Sequence, residues 1–373
     1  MKEINLGNIL LENRRKRNIT QDELAAHMGV SKACVSKWET AATYPDITLL
    51  PRLAAFFNIS IDELMGYKPQ MSITEIRSLY QQISCDFSTK PFDQVMIYCR
   101  TITKKYFSCF PLLFQIGTLY VNHCVLAKNP IKISDVLNEA MELFVRIKEE
   151  SNNASLKEQA LNMEAFCLLK LGRGEEAAAL LSDFIPVKMA AEPLLAEAYQ
   201  MTGNQQKAKQ VLQAGIYQSM LELINLLLSY TKLCNQNNSA FEETCRRILA
   251  IADSFQLEPL HPAIMLNTYF YLAQEYIRHE NEEKALTMLE KYCHLAVSNI
   301  SSFCLHGDAY FSLLDDWLKE NLTLGNQLPR QEALIRKEIV SALTETQVFS
   351  SLSGNQKFQE IVRRLKREGE ISL

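Results

Sequence analysis

The chain has 373 residues, 47% of them hydrophobic and 22% charged, with 39 Lys and Arg against 43 Asp and Glu for a formal net charge of −4. This composition excludes a disordered or fibrous chain and supplies apolar residues for two or three cores. It also means that any nucleic-acid binding must come from where the cations sit, because the net charge offers none.

Apolar residues recur at three- and four-residue spacing from end to end, and no alternating β-branched run is closed by Asn-Gly or Asp-Gly, so an all-α fold is predicted. The first 66 residues divide into five short helices. Helix one carries Ile4, Leu6, Ile9, Leu10 and Asn13 and ends in the basic cluster Arg14, Arg15, Lys16, Arg17. Thr20 is the N-cap of a second helix, with Glu23 completing a capping box and Leu24, Ala25 and Met28 on its inner face. Gly29 ends it, where a left-handed residue is wanted. Ser31 caps a third helix running to about Thr40, with Val35 and Trp38 turned inward. A fourth helix (Leu49, Leu50, Leu53, Ala54, Phe57) and a fifth begun by Ser60 (Ile61, Leu64, Met65) close a small bundle.

Two short helices joined by a tight Gly turn have the geometry of a helix-turn-helix, whose second helix enters the major groove. With Val35 and Trp38 inward, Ser31, Lys32, Ala33, Ser36 and Lys37 project outward as the candidate base and phosphate contacts. Gln21, at the start of the preceding helix, is placed to meet the DNA backbone with its side chain and the free amides of the helix end. Residues 1–67 hold eight Lys or Arg and eight Asp or Glu, so this domain is formally neutral and distribution has to decide. Six of those cations sit at the end of helix one, Arg14 and Arg17 among them, or on helix three, where a docked duplex passes. So few phosphate contacts bind weakly in a monomer, and a dimer reading two half-sites about 34 Å apart is the expected remedy.

The run LLENRRKRNITQDELAAHMGVSKACVSKWETAATYPDITLLPRLAAFFNISIDELMG resembles the Cro/C1-type, or Xre, helix-turn-helix family. Its T-Q-x-E-L-A, G-V-S-x-x-x-V-S-x-W-E, Y-P-D and N-I-S-x-D-E-L elements stand in order over about the first 66 residues. The resemblance implies a five-helix lambda-repressor-like head that binds double-stranded DNA, with a palindromic operator and a homodimer as the usual arrangement. One departure is visible. Many relatives carry Gly where this chain has Ala41, and Ala tolerates positive φ poorly, so the cap of helix three is not set by the resemblance.

GYKPQMS, 66–72, has no apolar periodicity and reads as a linker over 67–72. Beyond it two segments align without gaps, 164–185 and 193–216, offset by 31 residues with Gly172 on Gly203 and Ala177 on Ala208. A third, 269–293, repeats the plan with Asn281 at the turn and Ala285 after it; weaker units fit at 111–147 and 218–255. Each is a helix, a short polar turn and a helix, with a small residue where the pair approaches closely. The plan resembles the tetratricopeptide repeat. About six or seven such hairpins fill 73–355, stack, and curve into an α-solenoid with a concave face, closed by an amphipathic capping helix over 356–373.

A Cro-type head on such a solenoid resembles the Rgg/PlcR/PrgX/ComR group of peptide-responsive, quorum-sensing regulators. That resemblance implies a short signalling peptide in the concave groove. Side-chain amides there would satisfy an extended backbone, and Asn122, Asn162, Asn225 and Asn267, with Tyr271 as a companion, are the candidate ligand contacts.

Motifs for catalysis, cofactors and metals fail. GRGEEA at 172–177 matches G-x-G-x-x-A but follows a helix, no G-x-x-x-x-G-K-[ST] is present, and none of the six histidines pairs at i, i+4. Ten scattered cysteines without a C-x-x-C pair read as small core residues in a reducing compartment. MLELINLLLSYTKL is too short for a bilayer and carries Glu222 and Lys232, and the N-terminus lacks a signal-peptide pattern, so a cytoplasmic protein without a membrane partner is expected. Three classes stay open: a ligand-sensing regulator, a scaffold that binds a partner protein and is tethered to DNA by its head, and an enzyme that would need a reactive cluster the sequence does not display.

Overall fold

The computed structural model describes residues 5–66, 70–182, 190–234, 238–297, 304–324, 326 and 328–370, and every regular element among them is helical. The head consists of α1 (Leu6–Lys16), α2 (Gln21–Met28), α3 (Lys32–Glu39), α4 (Leu50–Phe57) and α5 (Ile61–Met65), with a single 3₁₀ turn at Ile47–Leu49 before α4. Ile4, counted into helix one from the sequence, lies outside the described residues. Leu10, Leu24, Val35, Leu53 and Leu64 are fully buried, one from each of the five helices. Gly7 lets α1 cross the end of α3 at backbone distance, because a Cβ there would stand 2.6 Å from the Trp38 carbonyl oxygen.

Helix α3 ends without a glycine, Ala41 standing at the reversal. Ala41 adopts φ +56°, and the chain reverses through Ala42 N–H donating to the Lys37 carbonyl at 2.9 Å. A left-handed alanine is strained by roughly 1–2 kcal/mol.

The body comprises α6 (Ile73–Thr89), α7 (Phe92–Lys105), α8 (Phe110–His123), α9 (Pro130–Glu150), α10 (Ala154–Lys170), α11 (Gly174–Leu181), α12 (Glu192–Met201), α13 (Gln205–Thr231), α14 (Asn238–Ser254), α15 (Leu257–Leu260), α16 (Pro262–Arg278), α17 (Glu282–Ala296), α18 (Leu314–Asn321), α19 (Glu332–Glu345) and α20 (Gln356–Glu370). Of the expected linker, residues 67–69 lie outside the described residues. Gln70 and Met71 are held instead: the Gln70 amide donates to the Ser108 carbonyl at 3.0 Å, and Ser72 caps α6 in a capping box with Glu75. Residues 371–373 of the expected capping helix are likewise outside the described set.

The repeat register has a backbone cause. Gly172, Gly203 and Glu280 all take positive φ, at +76°, +78° and +56°, and each is followed by the N-cap of the next helix, Arg173, Asn204 or Asn281. Four residues after each cap stands a buried alanine, Ala177, Ala208 or Ala285, where the two helices of the hairpin meet. The third turn is therefore equivalent at Glu280, one residue before the Asn281 that marks it in the sequence.

Two expectations are corrected. The units at 193–216 and 218–255 do not separate, because α13 runs unbroken for 27 residues through both. No proline or capping side chain interrupts QAGIYQSM, and Gly215 serves instead as a close approach, its missing Cβ 3.0 Å from Glu192 Cγ. That continuity also makes Gln205–Thr231, like Phe110–Ala127, long and apolar enough by length and composition to cross a membrane. Both pack on other helices of the body, α8 against α6 and α9, α13 against α12, α14, α16 and α18, with half of the Phe110–Ala127 stretch buried but only 28% of the apolar stretch of α13. Cys85 is exposed and Cys34 and Cys304 half-buried, whereas the other seven cysteines are buried as expected.

The body holds two apolar cores. One is built from α6–α10 and the other from α13–α20, and Leu324 from the C-terminal half packs against the first. In the first core His123 is fully buried, stacked on Phe87 at 4.5 Å with its Nδ1 2.9 Å from the Leu119 carbonyl. Burial pushes its pKa from 6.5 to about 4.

Two outcomes are expected. Ala41→Gly should stabilise the head by about 1 kcal/mol, read by denaturant titration of Trp38 fluorescence in a Trp317→Phe background. The neutral form of His123 stabilises the fold, so its contribution is complete above pH 6.5 and is lost as pH falls toward 4, by on the order of 3 kcal/mol. His123→Phe should flatten that part of the stability–pH curve, and an unchanged curve would remove the assignment.

Candidate nucleic-acid interface

The face offered by α3 is set first by its ends. Thr20 Oγ1 accepts the Glu23 N–H at 3.2 Å while the Glu23 carboxylate accepts the Thr20 N–H at 2.6 Å, so the capping box fixes the start of α2. Gly29 at φ +74° turns the chain, and Ser31 Oγ accepts the Cys34 N–H at 3.4 Å to start α3. Val35 and Trp38 then point into the core, leaving Ser31, Lys32, Ala33 and Lys37 exposed and Ser36 half-buried on the opposite side.

Its orientation depends on Glu39, a residue that sequence reasoning passed over. The Glu39 carboxylate is buried and takes Arg14 Nε at 2.6 Å, Arg14 Nη2 at 3.0 Å and Gln21 Nε2 at 2.8 Å. Arg14 Nη1 also donates to the Ile19 carbonyl at 2.8 Å. Helices α1, α2 and α3 are thus tied at one point. Burial alone would raise the Glu39 pKa, but the hydrogen bonds from Arg14 and Gln21 outweigh it and hold the carboxyl below its usual range. The W-E spelling at the end of α3 was the available signal, but nothing local pairs Glu39 with a cation 25 residues earlier.

The remaining candidates divide. Arg14 faces inward, only 14% exposed, because the buried carboxylate requires a cation; the sequence had placed it beside a duplex. Gln21 shares that carboxylate while standing at the first position of α2. Arg17 is exposed, with its guanidinium 5.5 Å from the Phe56 ring on α4. Lys32 Nζ lies 2.7 Å from Asp22 Oδ2, a solvated pair worth little and readily exchanged. Lys37 is exposed, and among the described residues it has no ion pair. Tyr44, in the loop after α3, is 55% exposed beside a buried Pro45 and was not singled out from the sequence.

The candidate ligand residues do not form one set. Asn225 on α13 and Asn267 on α16 are exposed, and Tyr271 on α16 is 38% exposed under Lys232, the C-cap of α13, whose Nζ lies 4.6 Å from the ring centroid. Those two helices pack together, and Leu226 and Tyr230 are exposed on the same stretch of α13. Asn162 is exposed on α10, in the other half of the body, beside Phe166. Asn122 is engaged elsewhere: its side-chain amide donates to Tyr80 Oη at 3.2 Å, and its backbone carbonyl accepts Arg330 Nη1 at 3.0 Å.

Comparison with known proteins places the head. Residues 10–64 match the family described as Helix-turn-helix, so the N-terminal domain is a helix-turn-helix domain of the Cro/C1 type. The HTH-type transcriptional activator BcrR of Enterococcus faecalis is 36% identical over 62 residues, which cover 17% of this chain and 30% of that protein. The match therefore spans less than a third of the relative's length. Among solved structures, apo ComR from S. thermophilus is similar at 13% identity over 79% of this chain and 93% of that one, with a TM-score of 0.25. Apo ComR from Streptococcus vestibularis is similar at 14% identity over 87% and 99%, with a TM-score of 0.27. Similarity at this level does not define what the body does.

Glu39→Gln should remove the charge that Arg14 requires and destabilise the head by about 3 kcal/mol, as breaking a buried pair does. Circular-dichroism melts of the full chain with Arg14→Met/Glu39→Leu as a control should show the double replacement costing less than Glu39→Gln alone.

Proposed function

We propose that the protein is a sequence-specific transcription regulator that acts in the cytoplasm as a homodimer. Its heads read a palindromic operator through α3, and its helical body senses a short peptide. The observation that carries the first part is the outward row of α3. Small and hydrogen-bonding groups (Ser31, Ala33, Ser36) stand beside two lysines, on a helix whose start is capped and whose end is held by Glu39. Lys32 exchanges Asp22 for phosphate, and Lys37 is available one turn on. Arg17 and Gln21 flank this row as backbone contacts. Arg14 acts through Glu39 as a positioning residue.

Support for peptide sensing comes from the paired surfaces of α13 and α16. Amides (Asn225, Asn267) that can both donate and accept alternate there with exposed Leu226, Tyr230 and Tyr271, the mixture an extended peptide needs for its backbone and side chains. Such a ligand acts by population shift, through its different affinity for DNA-competent and incompetent dimers.

Fluorescence anisotropy on duplexes selected from genomic fragments tests both parts. Lys32→Ala/Lys37→Ala should weaken binding at least tenfold at moderate salt and lower the salt dependence by about two phosphate contacts. Unchanged affinity would overturn the α3 assignment. A synthetic peptide that shifts DNA affinity, with the shift lost in Asn267→Ala/Tyr271→Ala, supports sensing; a body that answers only to a folded protein partner supports the scaffold reading.

A further inference from the structure

We propose that residues 319–324 and 328–330 form a releasable strap. They clasp α6, the helix that leads out of the head's linker, to the C-terminal half of the body, and release of this clasp is how a change in that half reaches the head. The proposal is independent of what the body binds.

Three side chains on one stripe of α6, at i, i+3 and i+7, meet a segment some 245 residues away in sequence. Arg77 Nε donates to the Thr323 carbonyl at 3.0 Å, and Arg77 Nη2 to those of Leu322 at 3.1 Å and Lys319 at 3.4 Å. Lys319 lies in the last turn of α18 and Leu322 is its C-cap, where a helix leaves acceptors unpaired and carries partial negative charge, and Thr323 follows directly. One and two turns further along α6, Tyr80 Oη at 3.0 Å and Ser84 Oγ at 3.4 Å donate to the Pro329 carbonyl. Arg330 continues the seam, donating to the Asn122 carbonyl on α8 at 3.0 Å and pairing with Glu338 on α19. Tyr80 and Ser84 are each 1% exposed, so their hydroxyls are buried beneath the strap, whereas Arg77 is half-buried and Lys319 and Pro329 stand at the surface.

Among the described residues, the main helix-on-helix packing stays within each half. Helix α11 packs back on α10 and α12 packs on α13, and each half has its own apolar core, Leu324 being the strap's apolar anchor in the first. The clasp consists mainly of side-chain to backbone hydrogen bonds. Such bonds are individually weak in net terms because water replaces them on opening, whereas an apolar core has no such replacement. The seam is therefore the easiest place for the halves to part without unfolding either. Helix α6 is the right helix to hold, since its cap Ser72 follows the head's last helix by only a few residues, with Gln70 and Met71 fastened beside it on Ser108 and Cys109.

Hydrogen–deuterium exchange on the full chain tests the strap, and the anisotropy decay of Trp38 fluorescence in a Trp317→Phe background tests its reach to the head. Arg77→Ala/Tyr80→Phe should speed exchange at least tenfold in peptides covering 73–84 and 314–330, leave α16 and α17 protected as before, and shorten the correlation time of Trp38. Tyr80→Phe alone, which removes one hydroxyl, should give a smaller shift of the same sign. Unchanged exchange in the strap, or loosening that spreads evenly through α16 and α17, would overturn the clasp. Faster strap exchange with an unaltered Trp38 decay would overturn its link to the head.

Discussion

A single buried carboxylate organises the head. Glu39 at the end of α3 is reached by Arg14 from α1 and Gln21 from α2, so three helices meet at one charge that is compensated on both oxygens. A lone carboxylate at that depth would be costly, and a lone guanidinium equally so, which makes the arrangement all or nothing. The apolar contacts of Val35 and Trp38 leave α3 some freedom to roll; the directional bonds at Glu39 remove it. The outward row of Ser31, Lys32, Ala33, Ser36 and Lys37 is therefore positioned by groups that face the other way.

The body solves a different problem with backbone conformation. A helical hairpin must reverse in a few residues, and the left-handed residue that does this is glycine at 172 and 203 but glutamate at 280. Each reversal sets the next N-cap, and the cap sets where a small side chain must stand so the helices can touch, at Ala177, Ala208 and Ala285. Period and packing thus share a local cause, which explains why the repeat survives although the spacing between units is irregular. The same rule explains where the period fails. Without a left-handed residue or a cap near residue 216, α13 continues from one unit into the next.

The all-α class, the five-helix head, the Thr20–Glu23 capping box, the Gly29 turn and the inward pair Val35 and Trp38 were legible in the sequence, as were the turns at Gly172 and Gly203. All of these depend on neighbours within about one helical turn. The internal engagement of Arg14 was not legible because its partner lies 25 residues away, nor was that of Asn122, whose partners lie on α6 and in the C-terminal segment. Glu280 was passed over because glutamate does not announce a positive φ.

What the sequence determined by itself is the set of local rules: where helices start and stop, which side of each is apolar, and that the first 66 residues have the helix-turn-helix pattern. Only the tertiary structure decided which polar side chains are consumed internally and which remain to meet a ligand. Hydrogen bonds and ion pairs close over distances in space that bear no relation to distance along the chain, whereas caps, turns and helical periodicity are short-range by nature.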